Sequence, residues 1–146
     1  MNLFNLLDVS GSALVAERQR AEVVVSNLAN AETTRTPGGG PYRRQSVVFG
    51  SVRVAPFSFA QTFDSVADSA VRGVRVLRVA ADSRPPIERY DPSNPTANAQ
   101  GYVSYPAINP AEEMVDLLEA SRAYQFNVDA IQATKNMITQ ALTILT

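Results

Sequence analysis

Helix breakers are confined to the middle of this chain. All nine prolines and six of the seven glycines fall between residues 33 and 110; residues 1–32 hold only Gly11, and residues 111–146 hold neither type. Proline removes an i→i−4 hydrogen bond, and glycine costs about 1 kcal/mol against alanine inside a helix. Both ends are therefore free to be long helices, and the middle is not. The expected fold is mainly α with a small β insert: an N-terminal helix within 1–32, a loop and short-strand region over 33–108, and a C-terminal helix within 109–146.

The C-terminal stretch carries its own start signal. Asn109 can cap, Pro110 suits the first helical position, and Glu112, three residues after the cap, completes a capping box. Glu112, Glu113 and Asp116 put negative charge in the first turns, where the helix dipole favours it. From there Met114, Leu117, Ser121, Tyr124, Val128, Ile131, Lys135, Ile138, Leu142 and Leu145 recur at alternating steps of three and four. That is the spacing of a supercoiled seam, interrupted at Ser121 and Lys135. At about 1.5 Å per residue such a helix reaches roughly 54 Å, too long to be buried along its whole length in one small domain.

The N-terminal stretch repeats the pattern through Phe4, Leu7, Gly11, Leu14, Arg18, Ala21, Val25 and Leu28. A helix with one narrow apolar seam is not stable alone in water. The two helices are expected to pair with each other as a coiled coil, antiparallel or folded back, and with further copies. The candidate assembly seam is Leu7, Leu14, Val25 and Leu28 on the first helix, and Leu117, Tyr124, Val128, Ile131, Ile138, Leu142 and Leu145 on the second.

In the middle, Pro37-Gly38-Gly39-Gly40-Pro41 reads as a turn, residues 42–49 and 73–79 as strands, and 101–106 as a short edge strand. Asp91-Pro92-Ser93-Asn94-Pro95 is a turn cluster, and residues 55–70 read as an irregular excursion.

Composition removes most chemistry. Thirteen basic against fourteen acidic residues leave a formal charge of −1, with no His and no Cys. No net field draws the chain to nucleic acid or an anionic membrane. His-based acid–base catalysis, Cys nucleophiles, disulfides, iron–sulfur clusters and ordinary zinc sites are excluded. Carboxylate catalysis would be the remaining option, and Glu112, Glu113, Asp116 and Glu119 do crowd one helix start. The dipole accounts for them, and no aromatic-lined substrate surface accompanies them. No catalytic residue, cofactor, metal or small-molecule substrate is expected. Six arginines within residues 37–78 read as a solvated strand face or as contact with an acidic neighbour. The first residues lack the basic segment, apolar core and cleavage site of a signal peptide, and no apolar run approaches the roughly 20 residues that span a bilayer.

Ser26-Asn27-Leu28-Ala29-Asn30-Ala31 sits where the first helix should end. Read locally, Asn30 tolerates the left-handed conformation and Thr33-Thr34 continue as loop. The same string resembles the bacterial flagellar rod and hook axial proteins. So do Gly11-Ser12-Ala13-Leu14, Tyr90-Asp91-Pro92-Ser93-Asn94-Pro95, Gly101-Tyr102-Val103, Glu113-Met114-Val115 and Ala120-Ser121-Arg122-Ala123-Tyr124-Gln125. The Tyr-Asp-Pro block and the short length point to a proximal-rod member, with residues 54–70 and 107–110 departing from the family pattern. Ser26, Asn27, Leu28, Ala29 and Asn30 are the family motif.

The resemblance implies a structural subunit of the flagellar basal-body rod. It would polymerise with copies of itself and other rod subunits into the shaft that transmits torque across the periplasm. It would leave the cell through the flagellar type III export apparatus without a cleaved signal peptide, and its terminal helices would form an inner coiled-coil layer. A sibling axial subunit and a cytoplasmic coiled-coil adaptor or export chaperone are the alternative readings.

Overall fold

A computed structural model describes residues 3–53 and 72–144. The elements are α1 (Leu3–Ala29), β1 (Gln45–Arg53), β2 (Arg72–Ala81), β3 (Ile87–Tyr90), β4 (Tyr102–Tyr105) and α2 (Pro110–Ile144). The expected excursion over 55–70 and the seam residue Leu145 lie outside the described residues. The two helices hold 27 and 35 residues, about 40 and 52 Å at the usual rise.

Both helix ends follow from local chemistry. At α2, Asn109 Oδ1 accepts the Ala111 N–H at 3.1 Å, and Asn109 Nδ2 donates to Glu112 Oε1 at 3.2 Å. Glu112 thus meets the cap's side chain rather than its backbone, a variant of the expected box. At α1, Asn30 does not enter the left-handed region: no non-glycine among the described residues has positive φ. Instead its Nδ2 donates to Ser26 O at 2.9 Å, satisfying a carbonyl of the last turn.

The insert is two separate two-stranded antiparallel sheets, β1–β2 and β3–β4. In the first, Gln45 pairs with Ala81 and Arg53 with Arg72, with a bulge at Val48/Phe49 that leaves Leu77 unpaired. Gly50 leaves room for it: a Cβ there would come within 2.5 Å of Leu77 Cδ1. This sheet rests on α1, where Ser12 Oγ accepts the Val74 N–H at 3.1 Å and donates to Val9 O at 2.7 Å.

β3 was not expected from sequence. All four of its residues are exposed, so no alternation of burial is there to be written into its residue types. It is held by β4, by the edge-to-face rings of Tyr90 and Tyr102 (centroids 5.4 Å apart), and by the Arg89 guanidinium 5.1 Å from the Tyr105 ring. The connecting loop braces itself. Asp91, Asn94 and Asn98 each accept, through Oδ1, the N–H two residues on, at 3.3, 3.0 and 3.0 Å. Gly101 closes it at φ 82°, where an added Cβ would lie 2.8 Å from Tyr90 Cε2. Gly101→Ala should therefore cost about 1–2 kcal/mol and lower the thermal midpoint by about 2–8 °C. A scan of both proteins by circular dichroism checks this, and an unchanged midpoint contradicts it.

The apolar core is small. Among the described residues, the buried apolar side chains are Ala16, Val24, Val103, Pro106, Ile108 and Ala120. α1 and α2 run antiparallel, Asn27 meeting Glu113 while Arg20 reaches Asp116 and Glu119. The face of α2 turned inward carries Glu113, Ala120 and Thr134, with Asn127 half-buried; that of α1 carries Ser10, Ala16, Val24 and Asn27. The fully buried positions of the two helices are mostly small or polar, while the large apolar residues of the periodic stripes are half-buried or exposed.

Candidate functional site

Three segments far apart in sequence converge on the end of α1. Asn27, the first asparagine of the family motif, is wholly buried. Its Nδ2 donates to Gln45 O at 2.8 Å and to Glu113 Oε2 at 3.0 Å. Its Oδ1 accepts the Gln45 N–H at 2.8 Å and the Tyr42 hydroxyl at 3.2 Å. Two donors and two acceptors are all used, the full capacity of a carboxamide. Toward Gln45 the side chain behaves as one more peptide unit, pairing with both N–H and C=O at the start of β1. That is why asparagine serves here and an apolar residue of the same size would strand two backbone groups.

The Glu113 carboxylate is also wholly buried, and Arg44 Nε donates to its Oε1. Arg44 Nη2 reaches on to Asp116 Oδ2 at 3.0 Å. Asp116 Oδ1 and Glu119 Oε2 lie 3.7 and 3.4 Å from Arg20 Nη2. Partial burial works to lower the pKa of Arg44. The hydrogen bond to Glu113 and the charges of Glu113, Asp116 and Asp82 outweigh that and hold it above the ordinary arginine value. Asp82, which accepts from the backbone and side-chain N–H groups of Arg84, is held below the usual carboxylate range. Its contribution to stability is present at neutral pH and lost as pH falls through that lowered value.

The motif residues thus divide their work. Asn27 locks the junction and Asn30 caps the helix. Ser26 places its hydroxyl 3.4 Å from that of Tyr42, Leu28 is half-buried, and Ala29 is exposed. Two members of the junction were read differently from sequence, Glu113 as a dipole-complementing acid and Arg44 as one of a basic run. The available signal was spacing: Glu113 lies seven residues before Ala120 and fourteen before Asn127, in line with the inward face.

The predicted seam residues are covered only in part within the chain. Leu7, Leu14, Leu28, Leu117, Val128, Ile131 and Ile138 are half-buried, while Val25, Tyr124 and Leu142 are exposed. The α1 seam is turned roughly 100° from the buried face at 100° per residue. Beyond it α2 presents a further apolar surface: Met114, Val115, Leu118, Phe126 and Met137 are all exposed, Phe126 by 74%. Val115, Phe126 and Met137 stand at intervals of eleven, which run almost straight along a helix.

A cavity of about 240 Å³ opens between α1, β1 and α2, lined by Arg20, Val24, Arg44, Val47, Phe49 and Asp116. Its charged groups already answer one another. Among the described residues no group of three His, Cys, Asp or Glu side chains is placed to hold a metal, and no helix is long and apolar enough to cross a membrane.

Comparison with known proteins adds the following. Residues 7–35 match the family described as Flagella basal body rod protein, and residues 99–144 match Flagellar basal body rod FlgEFG protein C-terminal. The chain is similar to the flagellar basal-body rod protein FlgC of Borreliella burgdorferi, 39% identical over 150 residues, covering 99% of each chain. It is likewise 43% identical over 148 residues to that of Bacillus subtilis, again covering 99% of each. To that of Escherichia coli O157:H7 it is 41% identical over 144 residues, covering 99% of this chain and 98% of the other.

Proposed function

The chain belongs to the flagellar basal-body rod protein FlgC family and is a structural subunit of the flagellar rod; on that footing we propose how it packs there. α1 and α2 of neighbouring subunits form an inner coiled-coil layer of the proximal rod. The insert over 33–108 lies outside that layer, and the assembled shaft transmits torque across the periplasm. The subunit performs no catalysis. Its partners are further copies, other rod subunits and the flagellar export apparatus, which delivers it without a cleaved signal peptide.

The observation that carries this reading is the apolar surface left uncovered on both helices. A chain that stays single in water rarely presents Val25, Tyr124 and Leu142 beside Met114, Val115, Leu118, Phe126 and Met137. The half-buried seam residues Leu7, Leu14, Leu28, Leu117, Val128, Ile131 and Ile138 border that surface and would be completed by a neighbour. Deleting the gene in the source bacterium should abolish swimming, and a tagged copy that restores it should co-purify with basal bodies. Recovery of the restoring copy only from the cytoplasm would favour the adaptor or chaperone reading.

A further inference from the structure

The inward face of α2 is built on a line of residues seven apart: Glu113, Ala120, Asn127 and Thr134. Positions so spaced lie nearly above one another, so the line runs along the contact with α1. Two of its polar members are turned back into their own helix. Asn127 Nδ2 donates to Ala123 O and Thr134 Oγ1 to Ala130 O, each at 2.8 Å. The residues of α1 buried before Asn27 are Ser10, Ala16 and Val24. Such small side chains interlock little.

A slide of α2 by seven residues, about 10.5 Å along its axis, would present α1 with the same kind of surface, Ala120 standing where Glu113 stood. β3 and β4 contact neither helix and would travel with α2, giving up the 3.3 Å contact of Thr96 Oγ1 with Thr34 Oγ1 that ties their loop to the segment after α1. The pairs of Arg20 with Asp116 and Glu119 are long, at 3.7 and 3.4 Å, and only partly buried, so they discriminate weakly. What a slid pairing loses is the carboxylate held by Asn27 and Arg44, leaving buried donors without an acceptor.

We propose that Glu113, gripped by Asn27 and Arg44, sets the register of α2 on α1, being the buried contact that distinguishes pairings seven residues apart. A single polar residue fixing helix register is the best-attested use of buried polar groups. This is a property of the single chain and stands or falls independently of its place in the rod.

The chain has no cysteine, so spin labels at Arg18→Cys and Gln140→Cys, both exposed, report one interhelical distance without interference. These sites are offset along the axis, so a slide changes their separation. Pulsed electron paramagnetic resonance of the full-length labelled chain should give one distance. Glu113→Leu, which keeps the volume and leaves Arg44 its bond to Asp116, should add a second, displaced by up to about 10 Å. Glu113→Gln, which can still accept from Asn27 or Arg44, should return the single distance. One unshifted distance in Glu113→Leu overturns the proposal. So does loss of helical signal in that variant without a second distance, because α2 would then have no alternative register for Glu113 to exclude. Two distances in Glu113→Gln would also overturn it, by showing that the hydrogen bonds do not carry the effect.

Discussion

Phe126→Asp is expected to abolish swimming while leaving the free subunit folded. Phe126 is 74% exposed on the outward face of α2 and contributes nothing to the small core. Surface changes of this kind usually alter stability by no more than about 0.5 kcal/mol. In the proposed rod the same face is covered by a neighbour, and an uncompensated buried charge costs roughly 3–5 kcal/mol. That penalty recurs in every copy, so a modest change in one interface becomes a failure of the whole assembly. Ile138→Asp makes the useful contrast, because Ile138 is half-buried within the chain itself and its replacement should weaken folding as well. Gln100→Asp, on the exposed loop between β3 and β4, should swim normally. The measurements are soft-agar motility, immunoblots of basal bodies, and circular dichroism of each purified protein. Wild-type swimming by Phe126→Asp would refute the outward face as an assembly surface.

The second large effect concerns the junction. Glu113→Ala should destabilise the chain by roughly 3–5 kcal/mol, since it removes the acceptor of Asn27 Nδ2 and a carboxylate partner of Arg44 from a fully buried position. Against the 5–15 kcal/mol typical of a folded domain that is a large share. Arg44→Met should be costly for the complementary reason, leaving Glu113 buried with only Asn27 to answer it. The double variant Arg44→Met/Glu113→Leu should recover much of the loss, because an apolar pair has no charge to strand. Urea midpoints for the two single variants and the double complete the cycle. Strict additivity would mean that the two groups do not act as a unit, whatever their separation.

Much of the architecture was legible in the amino-acid order. The clustering of prolines and glycines in the middle placed both long helices, and Asn109-Pro110 placed the start of α2 to the residue. β1, β2 and β4 were legible from β-branched and aromatic runs between turn signals, with boundaries off by a few residues. β3 was not, since four exposed residues that pair only with one edge strand leave no periodic trace. The asparagines of the Asn27–Asn30 string were visible as a motif, but not what they hold.

What the sequence determined, then, is where the helices run, which residues lie on their apolar stripes, and which family the chain resembles. What only the tertiary structure decided is which face turns inward. Periodicity marks a surface that avoids water, but it does not say whether the cover comes from the same chain or another. Here full burial on α2 went to the small residues Ala120 and Thr134, and to Glu113, which with Asn27 of α1 forms a buried hydrogen bond. Asn27 and Glu113 stand 86 positions apart, and the burial of Glu113 depends on Arg44 from a third segment. No local pattern encodes such a contact, because its stability comes from groups that meet only once the chain has folded.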